Sequence, residues 1–216
     1  MARRLNLPLT PVMPVHLCPV TGPLYAVLMG YKESPIDELR RQFAGRVRDL
    51  LSRFLAVHHA CLVAAIGGDV DVVLPVPSSS RPGQASLEGV AGLPELVVSG
   101  LGGEARWVPA ALQRASGDIG HMHPNPHAFA VPRASRTVIA TARVLLLDDT
   151  YVSGSRGQSA AATLRLSGAH SVLVVPVGRV LRPERFVTHA AFVAAQPVGE
   201  GHRSRCMLTQ TRVGRR

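Results

Sequence analysis

Val144-Leu145-Leu146-Leu147-Asp148-Asp149-Thr150-Tyr151-Val152-Ser153-Gly154-Ser155 is the stretch on which the fold of this chain turns. Four apolar residues run directly into two adjacent carboxylates, and a loop of hydroxyl residues with one glycine follows. A continuous apolar run reads as a parallel strand covered on both faces. In open α/β sheets, ligands sit beyond the carboxyl ends of the strands. The two acids are therefore expected at a ligand edge, past the strand and open to a cavity. The hydroxyls and free backbone N–H groups of residues 150–155 face the same point. With a helix predicted over Gln158 to Leu166, that loop is suited to a phosphate.

Outward from this stretch, apolar runs and helical stripes alternate. Residues 1–22 are proline-rich and read as extended. Leu24 to Met29 reads as a short strand ended by Gly30. Ser34-Pro35-Ile36-Asp37 is a helix start, and Ile36, Leu39, Phe43, Val47, Leu50, Leu51, Phe54 and Leu55 form the apolar stripe behind it. Core strands are predicted at Val70 to Val76, Ala105 to Leu112, Arg143 to Leu147 and Ser171 to Val177. Helices are predicted at Ser86 to Ser99 and Arg182 to Ala195. A short strand is expected at Ala128 to Val131. Residues 113–127, with three histidines and little periodicity, read as a lid loop. This alternation predicts an α/β fold, a parallel central sheet flanked by helices.

The chain has 216 residues, 46% hydrophobic and only 4% aromatic, with a formal charge of +10. One domain spanning 1–216 is the simplest count: an N-terminal hood at 1–33, a core at 34–180, and a closing helix with a basic tail at 181–216. Lys32 is the only lysine, so the glycine-lysine-serine/threonine loop of P-loop proteins is absent. Cys18, Cys61 and Cys206 are far apart and odd in number, which predicts free thiols and a cytoplasmic setting. No signal peptide and no membrane-spanning stretch are expected. The positive charge fits polyanionic ligands or nucleic acid, but the scarcity of aromatics argues against the latter.

Residues 144–155 resemble the phosphoribosyl-pyrophosphate (PRPP) motif of type I phosphoribosyltransferases. Val73 to Arg81 resembles the pyrophosphate loop of their competence protein F branch. Tyr25 to Glu33, Arg114 and His127 to Val131 resemble further parts of that branch, whose cysteine-rich zinc module is missing here. The resemblance implies a type I phosphoribosyltransferase fold with a small N-terminal hood and a flexible lid. It implies PRPP as co-substrate with Mg2+, the acids Asp148 and Asp149 facing the ribose hydroxyls directly or through the metal, and Thr150, Tyr151, Val152, Ser153, Gly154 and Ser155 cradling the 5′-phosphate. Val76, Pro77, Ser78 and Ser79 would form the pyrophosphate loop, with Arg81 and Arg114 as cationic contacts. Val152 and Arg156 depart from the motif, each standing where a small hydroxyl residue is usual.

The implied activity is transfer of a phosphoribosyl group to a nitrogen acceptor, a nucleobase or related compound, with release of pyrophosphate; a homodimer is the expected assembly. Two other readings stand beside it: a PRPP- or nucleotide-binding regulatory protein of the same fold, and a competence-like DNA-associated protein. The His121, His123 and His127 set offers a weaker metal or pyrophosphate site, and Lys32 reads most simply as a surface lysine.

Overall fold

The computed structural model describes residues 5–78, 83–120 and 122–194. In chain order its elements are β1 (His16–Pro19), α1 (Pro23–Glu33), α2 (Asp37–Ile66), β2 (Val72–Pro75), α3 (Leu93–Gly100), β3 (Arg106–Trp107), β4 (Gln113–Arg114), β5 (Phe129–Ala130), α4 (Arg136–Ile139), β6 (Arg143–Tyr151), α5 (Ser155–Leu166), β7 (Ser171–Leu181) and α6 (Val187–Ala194). Among the described residues, β1, β7, β6, β2 and β3 form one sheet in that order, every neighbouring pair parallel. The expected α/β architecture, a parallel sheet between helices, is what the chain adopts.

Side chains on a strand alternate between faces, and the apolar run of β6 divides accordingly. Leu145 and Leu147 join Val73, Leu173 and Val175 in a core shared with α1, α2 and α3. Val144 and Leu146 join Val72, Leu74, Val172 and Val174 in a second core, closed by Ala160, Ala161 and Leu164 of α5. Covering both faces is what makes an uninterrupted apolar strand stable.

The topology places a crevice. From β2 the chain passes through α3 to β3, on one side; from β6 it passes through α5 to β7, on the other. Adjacent β6 and β2 therefore straddle the point where the strand order reverses, and the opening beyond their carboxyl ends is where such sheets take ligands.

Several elements differ from the sequence expectations. Leu24 to Met29 is not a strand but part of α1: Pro23 occupies its first turn, and Val27, Leu28 and Tyr31 form its buried side at helical spacing. Gly30 does not end it; a Cβ there would strike the ring of Phe43, so glycine lets α1 lie close on α2. The extended N-terminal segment joins the sheet as edge strand β1. The helix expected from Ser86 begins only at Leu93, after Gly92 turns with φ +65°. The strand expected over Ala105 to Leu112 keeps two residues before a 3₁₀ turn at Pro109–Ala111. Strand β7 runs on to Leu181, and the last helix starts at Val187. Helix α2, at 30 residues, is long and apolar enough by length and composition to cross a bilayer, contrary to the expectation of no such stretch; here Val47, Leu51, Phe54, Leu55 and Leu62 pack it into the core.

Candidate functional site

Strand β6 does not stop before its acids. It continues through Tyr151, with Asp148 opposite Pro176 and Tyr151 opposite Arg179 on β7. Asp148 and Asp149 thus lie within the ladder, 1% and 4% exposed. The expectation of open carboxylates past the strand end is corrected on this point. Alternation sends the two acids to opposite faces. Asp149 points toward α1, where the Tyr31 hydroxyl donates to Oδ2 at 2.9 Å and Lys32 Nζ lies 2.6 Å from the same oxygen. Asp148 points toward α5, and its Oδ1 accepts from Ser86 Oγ and from the Asp149 backbone N–H, both at 2.9 Å. Arg156, in the first turn of α5, joins the two sides: Nη2 pairs with Asp148 Oδ1 and lies 3.1 Å from Asp149 Oδ1. Thr150 Oγ1 also donates to Asp149 Oδ1, at 2.9 Å.

The two carboxyls titrate apart. Burial, joined by the charge of Asp149 and opposed by Arg156, pushes Asp148 up to about 6. Burial also penalises the Asp149 charge, but Lys32 and Arg156 outweigh it and hold that carboxyl at about 2. Burial and the neighbouring Asp149 raise the Tyr31 hydroxyl far above the ordinary phenol range. Asp148 and Asp149 raise the Arg156 guanidinium further above its already high value.

Beyond the acids the backbone turns sharply. Gly154 has φ +87°, and a Cβ there would collide with the Tyr151 ring, so glycine is required. Arg179 stacks on that ring at 4.8 Å and donates to the Val152 carbonyl at 2.9 Å, fixing the loop. The N-cap residue Gly154 has no side chain to cap α5, and the Ser155 N–H meets only Ser153 Oγ, at 3.4 Å. The first N–H groups of α5 have no intrahelical acceptors, and the positive end of the helix dipole favours an anion there. This corner opens on a cavity of about 170 Å³ lined by Asp148, Thr150, Tyr151, Val152, Ser153, Gly154, Arg156 and Gly157. A second cavity of about 370 Å³ also borders Arg156, its walls mixing the cations Lys32, Arg40 and Arg41 with the carboxylates Asp149, Glu33 and Glu88, beside Ser78 and Ser86. Arg156 borders both.

The remaining candidates distribute unevenly. Ser78 lines the cavity of about 370 Å³. Pro77 lines a mostly apolar cavity of about 720 Å³, as do Trp107 and Arg114; it shares the wall at residues 84–88 with the cavity beside Asp149. Arg114 stacks on Phe129 at 5.0 Å, and the structure does not bring it to the acid pair. Val76 is a core residue, fully buried, its N–H donated to the Leu147 carbonyl. Ser79, Arg81 and His121 lie outside the described residues, as do the arginines of the basic tail, and Cys206. The lid segment is tied down at one end: Asn125 N–H donates to Ser159 Oγ at 2.8 Å, and Thr163 Oγ1 to the Pro126 carbonyl at 2.6 Å. His123 and His127 are exposed there, and among the described residues no group of three metal-ligating side chains converges.

Sequence reasoning took Lys32 for a surface lysine and Arg156 for a blemish in a motif; both are partners of the acids. One signal was available. The only lysine follows an apolar helix stripe by one residue, next to a tyrosine on the buried side.

No protein-family model and no curated protein matches the chain. Among solved structures the chain is similar to one described as the structure of the allosteric regulatory enzyme of purine biosynthesis, at 20% identity and a TM-score of 0.34, over 59% of this chain. The chain spans about a quarter of that protein's length, 26%.

Proposed function

We propose that the crevice binds PRPP and that the protein is a phosphoribosyltransferase, a single domain that moves the phosphoribosyl group onto a nitrogen acceptor. One observation carries this reading: the start of α5, the left-handed Gly154 and the acid pair meet at the point where the strand order reverses. The 5′-phosphate would enter the small cavity and accept N–H donors from residues 152–157. The pyrophosphate would enter the larger one, where Lys32, Arg40 and Arg41 supply charge-assisted contacts. The acceptor nitrogen attacks C1 while the bond from C1 to the pyrophosphate oxygen breaks; the acceptor loses its proton and pyrophosphate leaves with the electron pair. Arg156 lies between the two ends of the ligand. Magnesium, which the resemblance implies, is assigned no residue and no step here, because both carboxylates already hold cations. The nearer relation to the competence protein F branch, the homodimer and the cytoplasmic setting belong to the same proposal.

The ion pairs on the acids favour a second reading, a protein that binds PRPP or a nucleotide without turnover. Labelled PRPP incubated with a nucleobase panel separates the two. Pyrophosphate release with one acceptor supports the transferase, saturable binding without release supports the regulator, and no binding sinks both.

A further inference from the structure

We infer that Arg156 is the built-in counter-ion of the acid pair: it occupies the place where a divalent metal would sit, so that a sugar phosphate is taken up without a metal on these carboxylates. The inference rests on the reading of the crevice as a phosphorylated-ribose site. It starts from charge. Asp148 and Asp149 carry two negative charges, and Arg156 with Lys32 returns two positive ones within ion-pair distance. A hard cation such as Mg2+ takes oxygen ligands, one or two of them from carboxylates whose oxygens are open to it and the rest from waters and phosphates. Here Asp148 Oδ1 accepts from Ser86, the Asp149 backbone and Arg156, while both oxygens of Asp149 already have two partners each. No third carboxylate, histidine or cysteine completes a metal set among the described residues.

Position argues the same way. Arg156 projects from the first turn of α5 and is held on both acids at once. It lines both the cavity of about 170 Å³ at the helix start and the cavity of about 370 Å³ that holds Lys32, Arg40 and Arg41, and so forms a partition between them. A ribose with an anionic group at each end would span that partition. Its hydroxyl oxygens would then meet guanidinium N–H donors where a metal-using site presents a cation. A planar, permanently charged donor suits that task, and a small hydroxyl residue in its place would leave the acids open to a metal.

The test uses the full chain and Mn2+ alone, followed by its paramagnetic signal. The wild type is expected to show no saturable site below about millimolar metal. Arg156→Thr is expected to gain one site and to lose it again when Asp149→Asn is added. A wild-type site that Asp149→Asn abolishes would overturn the inference, and so would a folded Arg156→Thr chain that takes up no Mn2+. Should that variant not fold, ribose 5-phosphate affinity of the wild type decides. It should change less than about twofold on adding Mg2+, and a gain of about tenfold would overturn the inference. Failure of PRPP to bind, with the metal result as expected, would sink the proposed function alone. A wild-type metal site with turnover intact would sink this inference alone.

Discussion

Val144 to Leu147 and Asp148 to Tyr151 are halves of one strand, β6, paired along the same neighbour β7. The first half packs into an apolar core on each face. The second half begins with two buried charges that survive burial because four side chains from α1, α5 and residue 86 reach them. The same alternation runs from Val144 to Asp149, sending Leu145, Leu147 and Asp149 to the α1 side and Val144, Leu146 and Asp148 to the α5 side. An apolar side chain accepts whatever apolar neighbour that geometry supplies. A carboxylate needs a specific donor there, because an unpaired buried charge is far more unfavourable than a cavity.

The comparison breaks most sharply at Arg156. Arg156→Met strands two buried carboxylates, and loss of one partner from such a network destabilises by about 3–5 kcal/mol. Denaturant unfolding should show it as a lowered midpoint. Removing the charges together, with Asp148→Asn, Asp149→Asn and Arg156→Met in one chain, should recover much of that loss, since neutral groups leave no orphaned charge. Stability equal in the single and triple variants would mean the charged half is held by something other than its ion pairs. The paired asparagines alone cannot be assumed harmless, as open acids would allow, because they leave Arg156 and Lys32 without counter-ions.

The apolar half should respond differently. Leu146→Ala removes a fully buried side chain and should lower stability by about 2–4 kcal/mol through lost burial and a cavity. Added salt should leave that difference unchanged, whereas it should reduce any contribution from partly exposed Lys32. Equal salt responses for Leu146→Ala and Lys32→Met would erase the contrast.

What was legible follows from this contrast. The run Val144 to Leu147 announced a buried parallel strand, because period and composition are local. The stripe from Val47 to Leu55 announced α2 for the same reason. Leu24 to Met29 misled because six apolar residues have too little length to separate strand from helix, and the tertiary contact of Gly30 with Phe43 settles it. Edge strand β1 hid behind prolines that a strand at the sheet margin tolerates. Arg156 and Lys32 were unreadable as partners: Lys32 lies 117 positions from Asp149 in sequence, and only the register of the sheet brings them together.

Gly154 tests the turn that joins the charged strand end to α5. Gly154→Ala adds a Cβ at φ +87° and against Tyr151, so a loss of about 1–2 kcal/mol is expected from strain. Phosphate-ligand affinity should fall more than stability does, because the cradle amides move with the turn. Unchanged affinity for ribose 5-phosphate, read by calorimetry, would detach that cradle from any anion.

The pH profile separates the two acids. Asp149 ionises at about 2 in the folded chain, against about 3.9 unfolded. Its stabilisation is therefore complete above about pH 4 and disappears as pH falls toward 2. Asp148 runs the other way: with its folded value pushed up to about 6, its contribution is full below about pH 4 and is lost as pH rises through 6. Thermal unfolding of the wild type should rise from pH 2 to 4 and then decline gently toward 6.5. Asp149→Asn should flatten the acid limb and Asp148→Asn the upper one. A profile in which either asparagine flattens both limbs would show that the two carboxyls titrate as one unit across Arg156, so that the alternation which parts their side chains fails to part their protons.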